Sequence, residues 1–228
     1  MRISARLICV LGVLVSASNA TAATITATIT ADNHYALYSG AQDGSFLATV
    51  GGNELGVHGA PGRYNWSMAE SYDFSTDQPF LYLAAWSDGH VAQGVLAELA
   101  VDELSLLSGN AAWTVFATGI DKDDNDPYPT ETEMGVQITR ANAVGWEPAA
   151  VGGNNGVAPW GRISGVSQEA RWMWLASPDR TNAFHPGLDH DEYLIFRTAV
   201  PEPSSLLLLV VGGLATCRAA RRRCVKSS

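Results

Sequence analysis

The chain has 228 residues with 14 basic and 23 acidic side chains, which gives a formal net charge of −9. Residues 23–199 carry seven of the basic and 22 of the acidic side chains, so this middle stretch has a net charge of −15. Such an acidic surface repels phosphate groups and excludes nucleic-acid binding, whereas divalent cations and neutral glycans are compatible with it. All three cysteines lie near the chain ends, which leaves the middle stretch without a disulfide. That stretch is long enough to form one domain with a substantial core.

The first 22 residues have the composition of a secretory signal peptide. Arg2 and Arg6 provide a positive start, residues 7–15 are apolar, and the small residues Ala20 and Ala22 provide cleavage positions. The apolar part is too short to cross a membrane comfortably. We therefore predict export and removal of residues 1–22 by signal peptidase, with an uncleaved membrane anchor as the alternative.

Residues 23–198 consist of short strand-like segments separated by turns rich in Gly, Asn, Asp and Pro. Residues 24–30 alternate apolar and hydroxyl side chains, which places Ile25, Ala27 and Ile29 on one face of a strand. Residues 80–86 are continuously apolar, as in a strand covered on both faces. Further strands are expected at 35–38, 46–50, 95–101, 113–118, 134–138, 171–175 and 193–198. A helical turn or two is expected at 102–107 and no longer helix, so the pattern predicts an all-β sandwich.

Several of these segments also resemble the galactose-binding-like jelly roll. They are residues 30–38 (TADNHYALY), 65–66 (NW), 83–98 (LAAWSDGHVAQGVLAE) and the closing segments 170–174 and 195–197. The resemblance implies a jelly-roll β-sandwich over most of the domain. Many members of that family bind sugars through variable loops, so the resemblance identifies no binding residue here.

Seven tryptophans are many for a chain of this length. Exposed indoles stack on sugar rings, whereas buried ones fill the core of a sandwich. Trp146 and Trp160 flank a loop rich in glycine and asparagine at residues 151–156, and are therefore the candidates for glycan contact. Packing in the core is the alternative for both.

An acidic run at residues 121–126 is the candidate cation site. Asp121, Asp123 and Asn125 have the one-three-five spacing with which a loop wraps Ca²⁺. Beyond that point the run departs from an EF-hand, since Asp126 stands at the glycine position and Thr132 at that of the final glutamate. The alternatives are a structural calcium loop of another kind and a solvated acidic turn.

Signals of catalysis are weak. The sequence has neither a G-x-S-x-G nor an H-E-x-x-H motif, and the middle stretch has no cysteine nucleophile. Acidic residues are plentiful, but nothing singles out the pair of carboxylates that a glycosidase needs. We therefore predict a non-catalytic protein. A secreted glycan hydrolase and a purely structural surface protein are the alternatives.

Residues 199–228 combine three features in a fixed order. The first is the motif formed by Val200, Pro201, Glu202 and Pro203. Its two prolines exclude helix and hold the segment extended. The second is an apolar run, residues 204–220, that is barely as long as a membrane span. The third is a basic cluster formed by Arg218, Arg221, Arg222 and Arg223. The arginines favour a cytoplasmic C-terminus, with the rest of the chain outside.

This order of features resembles the PEP-CTERM sorting signal of Gram-negative bacteria. The resemblance implies that an exosortase, a membrane cysteine transpeptidase, recognises the motif and removes the apolar segment. The membrane would then be a transient partner, held through residues 204–220 until processing. We predict an exported protein of the cell surface or extracellular matrix that contacts exopolysaccharide.

Overall fold

A computed structural model of the chain describes residues 22–53, 66–87, 92–102, 104–123, 126–176, 183–184 and 192–201. The predicted signal peptide, the apolar run 204–220 and the arginine cluster lie outside these residues. Within the described part of the chain, no helix is both long and apolar enough to cross a membrane.

The described residues form two antiparallel six-stranded sheets and one helix. In chain order the elements are β1 (Ala23–Asp32), β2 (His34–Gly40), β3 (Ala48–Gly52), β4 (Glu70–Thr76), β5 (Phe80–Trp86), β6 (Gly94–Val101), β7 (Leu104–Leu107), β8 (Thr114–Asp121), α1 (Glu131–Val144), β9 (Glu147–Pro148), β10 (Ala150–Asn154), β11 (Arg171–Trp174) and β12 (Glu192–Ala199). The first sheet has the order β10-β11-β6-β1-β4, with β7 paired to β6. The second has the order β3-β2-β5-β12-β8-β9.

The two sheets share one hydrophobic core. In β1 the predicted alternation is confirmed, since Ile25, Ala27 and Ile29 are buried while the threonines at 24 and 26 are exposed. These side chains belong to the same cluster as Leu83 of β5 and Phe196 of β12, which lie in the other sheet. A fully buried side chain of this size contributes about 1.5–3 kcal/mol, so this cluster is the main source of stability.

Strand β5 is buried on both faces, as its continuous apolar run predicts. Leu81, Leu83 and Ala85 enter the shared core. The alternate residues Tyr82, Ala84 and Trp86 enter a second cluster with helix α1. The helix therefore covers the outer face of the second sheet, and it brings its C-terminal end beside β12 and the loop after β2.

The sequence-based prediction of a strand at 134–138 is wrong, because these residues lie in α1. Thr130 caps the helix: its hydroxyl accepts from the Glu133 N–H, and the Glu133 carboxylate accepts from the Thr130 N–H, forming a capping box. The buried residues of the helix are Met134, Gln137, Ile138 and Ala141, which is helical spacing. Val136, which a strand would bury with its neighbours, is 60% exposed.

The expected helical turn at 102–107 is also wrong. Residues 104–107 form β7, which pairs back on β6 with Val101 opposite Leu104 and Glu98 opposite Leu107. Asp102 makes the tight turn with a positive φ of 50°. Asp is among the residues that tolerate this conformation best after Gly and Asn, so the hairpin forms without a glycine.

Candidate ligand groove

A surface groove of about 710 Å³ lies where the loop after β2 meets the end of α1 and strand β12. We call it the Trp146 groove. Its lining residues are Ala41, Gln42, Asp43, Ser45, Phe46, Asn142, Trp146 and Arg197. They come from three separate parts of the chain, and each part is fixed by its own contacts.

Trp146 is placed by the termination of α1. Gly145 ends the helix with a φ of 115°, and its N–H donates to the carbonyl of Ala141 at 2.8 Å. The next residue, Trp146, is half-buried. Its Nε1–H donates to Asn142 Oδ1 at 2.9 Å, and its ring packs against those of Tyr82 and Phe116 at centroid distances of 6.3 and 6.1 Å. The indole therefore has a fixed orientation at the groove.

Arg197 packs against two aromatic rings. Its guanidinium carbon is 4.1 Å from the ring centroid of Trp146 and 5.1 Å from that of Phe80. One guanidinium nitrogen donates to Asn142 Oδ1 at 3.3 Å. Partial burial lowers the pKa of Arg197, while the neighbouring Tyr82 acts in the opposite direction. An arginine is nevertheless charged at any physiological pH, so the groove contains a fixed cation.

The loop at residues 41–47 supplies the opposite wall. The carboxylate of Asp43 accepts from the N–H and the hydroxyl of Ser45 at 2.9 and 2.6 Å, and these bonds lower the pKa of Asp43. The loop is attached to the helix, because Asn142 Nδ2 donates to the Gln42 carbonyl at 2.6 Å and Thr139 Oγ1 donates to the Asp43 carbonyl at 3.2 Å.

Two glycines let the loop approach the helix this closely. Gly44 has a φ of 82°, and a Cβ built on it would lie 2.9 Å from the carbonyl oxygen of Gly135 in α1. A side chain at either position is therefore unfavourable for this packing. The position of the loop, and with it the shape of the groove, depends on this backbone-to-backbone contact.

The groove combines an apolar face with hydrogen-bond donors and an acceptor. Phe46 is 80% exposed, an unusual position for an aromatic ring, and Trp146 presents the second ring. Arg197 and Gln42 provide hydrogen-bond donors, and Asp43 provides an acceptor. An aromatic face with a few directional polar groups is suited to a ligand that carries both C–H faces and hydroxyls.

Trp160 has a different environment from Trp146. It is 7% exposed and its ring stacks on that of Trp172 at a centroid distance of 3.9 Å. Its Nε1–H donates to Asp32 Oδ2 at 2.8 Å. This is the arrangement of a core tryptophan with a satisfied polar atom, so we retain only Trp146 in the groove.

Of the predicted calcium ligands, Asp121 and Asp123 lie at and just after the end of β8, with exposed side chains, and Asn125 lies outside the described residues. The loop is held by its own groups: the Asp123 N–H donates to Asp126 Oδ2 at 2.8 Å, and Lys122 Nζ donates to the Pro127 carbonyl at 2.8 Å. Among the described residues, no group of three or more His, Cys, Asp or Glu side chains is arranged to hold a metal ion. The calcium loop stays a prediction.

The sorting motif begins directly at the end of the folded domain. Ala199 is paired with Phe80 as the last residue of β12, and the N–H of Val200 donates to the Pro79 carbonyl at 2.9 Å. Pro201 is the last described residue, so Glu202, Pro203 and the four arginines lie outside the described part. No linker separates the domain from the motif.

Trp146, which lines the groove, was named as a candidate from the sequence, whereas Asp43, Asn142 and Arg197 were not. The capping signature at 130–133 was available to identify the helix, and the glycine at 145 to identify its end. No local pattern, however, joins residues from positions 43, 142 and 197, since the packing of helix α1 against the loop after β2 and against β12 brings them together.

Comparison with known families supports the interpretation of the C-terminal segment as a sorting signal. The family model of the PEP-CTERM protein-sorting motif matches residues 199–223. Comparisons with curated proteins and with solved structures gave no match. The matched motif indicates an exported protein of the cell envelope or surface that an exosortase sorts.

Proposed function

We propose that this protein is a non-catalytic component of the cell surface or extracellular matrix that contacts exopolysaccharide through the Trp146 groove. The observation that carries the proposal is the fixed indole of Trp146 beside the donors and acceptors of Arg197, Asn142 and Asp43. The sorting motif supports the proposal, because it indicates an exported protein of the cell envelope or surface.

The chemistry of the groove supports a sugar ligand over a purely apolar one. Sugar rings present C–H groups on one face and hydroxyls around the edge, and aromatic rings bind the former while charged and amide groups bind the latter. Asp43 keeps its second carboxylate oxygen, Oδ2, outside the two bonds with Ser45. It is therefore able to accept from a ligand hydroxyl without losing its own support.

We further propose that the two sheets form a galactose-binding-like jelly roll, that signal peptidase removes residues 1–22, and that residues 204–220 hold the chain in the membrane until the exosortase acts. The fold proposal is supported by the two antiparallel sheets around a shared core. The location of the groove on loops and at element ends also fits a fold whose ligand sites are in loops.

A glycan array probed with the full chain in detergent micelles tests the binding proposal. We expect binding to a defined set of glycans, and we expect Trp146→Ala to weaken it about tenfold, which corresponds to roughly 1.4 kcal/mol of lost stacking. Trp66→Ala is the matched control, because Trp66 is also half-buried but packs against a different cluster, the one that contains Trp172.

The same samples separate the alternatives. Release of new reducing ends from a bound glycan would identify a hydrolase, whose mechanism requires a pair of carboxylates. This result would contradict the non-catalytic proposal. Binding that Trp146→Ala leaves intact would place the contact elsewhere. A silent array would favour a purely structural surface protein.

A further inference from the structure

We propose that the ligand of the Trp146 groove is an acidic glycan, whose carboxylate pairs with Arg197. This inference rests on the proposed function and goes beyond it by naming the chemical class of sugar. It follows from the state of Arg197 in the groove.

The guanidinium of Arg197 is held in place but has no acidic partner in the part of the chain that the structure describes. Its guanidinium carbon lies 4.1 Å from the ring centroid of Trp146 and 5.1 Å from that of Phe80, so aromatic rings hold the group at the groove without taking up its N–H donors. Within the described residues its hydrogen-bond partner is the neutral amide oxygen of Asn142, at 3.3 Å, and no carboxylate lies within 4.0 Å. An arginine has five N–H donors in a planar fork, so several are available to a ligand.

Asp43 shares the groove with Arg197 without pairing with it. Its carboxylate is held at the loop by Ser45, at 2.6 and 2.9 Å. The groove thus keeps a cation and an anion apart although their attraction favours contact. A sugar acid satisfies both, because its carboxylate accepts from the Arg197 fork while its hydroxyls donate to Asp43.

The charge of the whole domain makes this inference specific. Residues 23–199 have a net charge of −15, so a polyanion is repelled at long range. Binding of an acidic polymer must then come from the local contact in the groove. Since salt screens the long-range repulsion, affinity should hold or rise between about 10 and 150 mM salt, where the Debye length falls from about 30 to 8 Å.

The test compares acidic polymers with their own methyl esters. Polygalacturonate, alginate and hyaluronate are presented to the full chain in detergent micelles, each as the free acid and as the ester, with EDTA present to exclude bridging by divalent cations. We expect at least one polymer to bind as the acid and to bind about ten- to a hundredfold more weakly as the ester, the range for losing a charge-assisted contact.

Variants of Arg197 assign that preference to the groove. Arg197→Gln should abolish the preference for the acid, and Arg197→Lys should keep part of it, because lysine retains the charge but not the fork. Arg162→Gln is the control, since it removes the same charge from an exposed position outside the groove. Melting temperatures show whether the variants remain folded.

Each other result overturns the inference in a distinguishable way. Equal or tighter binding of the esters, an acid preference that survives in Arg197→Gln, or affinity that collapses with salt would refute the acidic ligand and leave the glycan proposal standing. If all six polymers fail while the array yields a neutral glycan, the inference is wrong and the proposed function holds. If the array is silent as well, both fall.

Discussion

The guanidinium carbon of Arg197 lies 4.1 Å from the ring centroid of Trp146, which joins strand β12 to the end of helix α1. The two residues are 51 positions apart in the sequence, and Asn142 accepts a hydrogen bond from both side chains. This contact therefore links the helix to the sheet at the groove, in addition to the buried cluster beneath it.

We expect a double-mutant cycle to measure this link. Trp146→Leu and Arg197→Met should each destabilise the protein, and their coupling energy should be about 0.5–1 kcal/mol, the range for a partly exposed cation–π pair. The measurement is the free energy of unfolding from urea titrations. The pair Trp146→Leu with Arg162→Met serves as the control and should be additive, because no contact joins those residues. A coupling near zero in the first cycle would contradict the assignment.

The contact between Gly44 and Gly135 yields a second prediction. Gly44→Ala should destabilise the protein by about 1–2 kcal/mol, since the new Cβ meets the Gly135 carbonyl oxygen in a backbone conformation that alanine disfavours. It should also weaken glycan binding by moving the loop that carries Asp43. Gly119→Ala is the matched control, because Gly119 has a φ of 64° but nothing within 4 Å of its Cβ. Its cost reports the backbone effect alone, and glycan binding should be unchanged.

The capping box of α1 should be visible in thermal melts. Thr130→Ala removes the cap and should cost about 1 kcal/mol, or roughly 2–4 °C in melting temperature for a domain of this size. Thr132→Ala makes the same chemical change at an exposed position in the first turn and should have little effect. Equal shifts in the two variants would show that the cap is not important for stability.

The partner of the cap, Glu133, adds a pH dependence of known sign. Hydrogen bonds from the N–H and hydroxyl of Thr130 lower the pKa of Glu133 below its ordinary 4.5. A carboxylate with a lowered pKa in the folded state contributes stability above its unfolded pKa and loses it as the pH falls through the folded one. Glu133→Gln should therefore be less stable than the wild type at neutral pH, and the difference should disappear in acid. A difference that grows in acid would have the wrong sign.

Some strands and helices of the fold could be predicted from the sequence, and others could not. Strands such as 24–30 and 80–86 were predictable because local alternation or a continuous apolar run reports burial directly. The strand prediction for residues in α1 was wrong because Met134 and Ile138 fit a short period-two pattern as well as a helical one, and the cap signature at 130–133 is one feature that distinguishes them. Length of the pattern matters here, since Ala141 continues the helical spacing and not the alternate one.

The residues of the groove were harder to predict from the sequence than the strands of the fold. Trp146 was a candidate because of its residue type and its position beside the loop at residues 151–156, whereas its neighbour Arg197 looks like any outward-facing residue of a strand. Trp160 is buried because its ring stacks on that of Trp172 in strand β11. The sequence does not show that these two rings lie together. Tertiary packing of Trp146 and Trp160, which lie outside the strands, against distant parts of the chain sets both outcomes, and composition does not contain that information.

The calcium prediction is tested most directly by chelation. If the loop at 121–126 binds Ca²⁺, EDTA should lower the melting temperature and the double variant Asp121→Asn, Asp123→Asn should remove that dependence. Asp77→Asn is the control, because Asp77 is an acidic residue remote in sequence from the loop. The absence of any shift with EDTA would remove the calcium proposal and leave a solvated turn supported by Lys122 and Asp126.

The junction between β12 and the sorting motif allows the effect of the motif on processing to be separated from its effect on folding. Replacing Pro201, Glu202 and Pro203 with alanine should leave the domain folded, because the junction bond to the Pro79 carbonyl comes from the N–H of Val200, which is retained. A proline has no N–H to lose at 201. We expect the melting temperature to change by no more than about 2 °C, as for surface substitutions in a domain of this size.

Processing, in contrast, should stop. In cells that contain the exosortase, the variant should keep its C-terminal segment and remain in the membrane fraction, whereas the wild type should lose that segment, as intact mass and fractionation report. Alanine at Lys226, Ser227 and Ser228 is the control, since these residues lie beyond the matched segment 199–223. If the altered motif were processed like the wild type, the exosortase would be reading another feature. The folded end of β12, directly before Val200, would then be the next part of the chain to test.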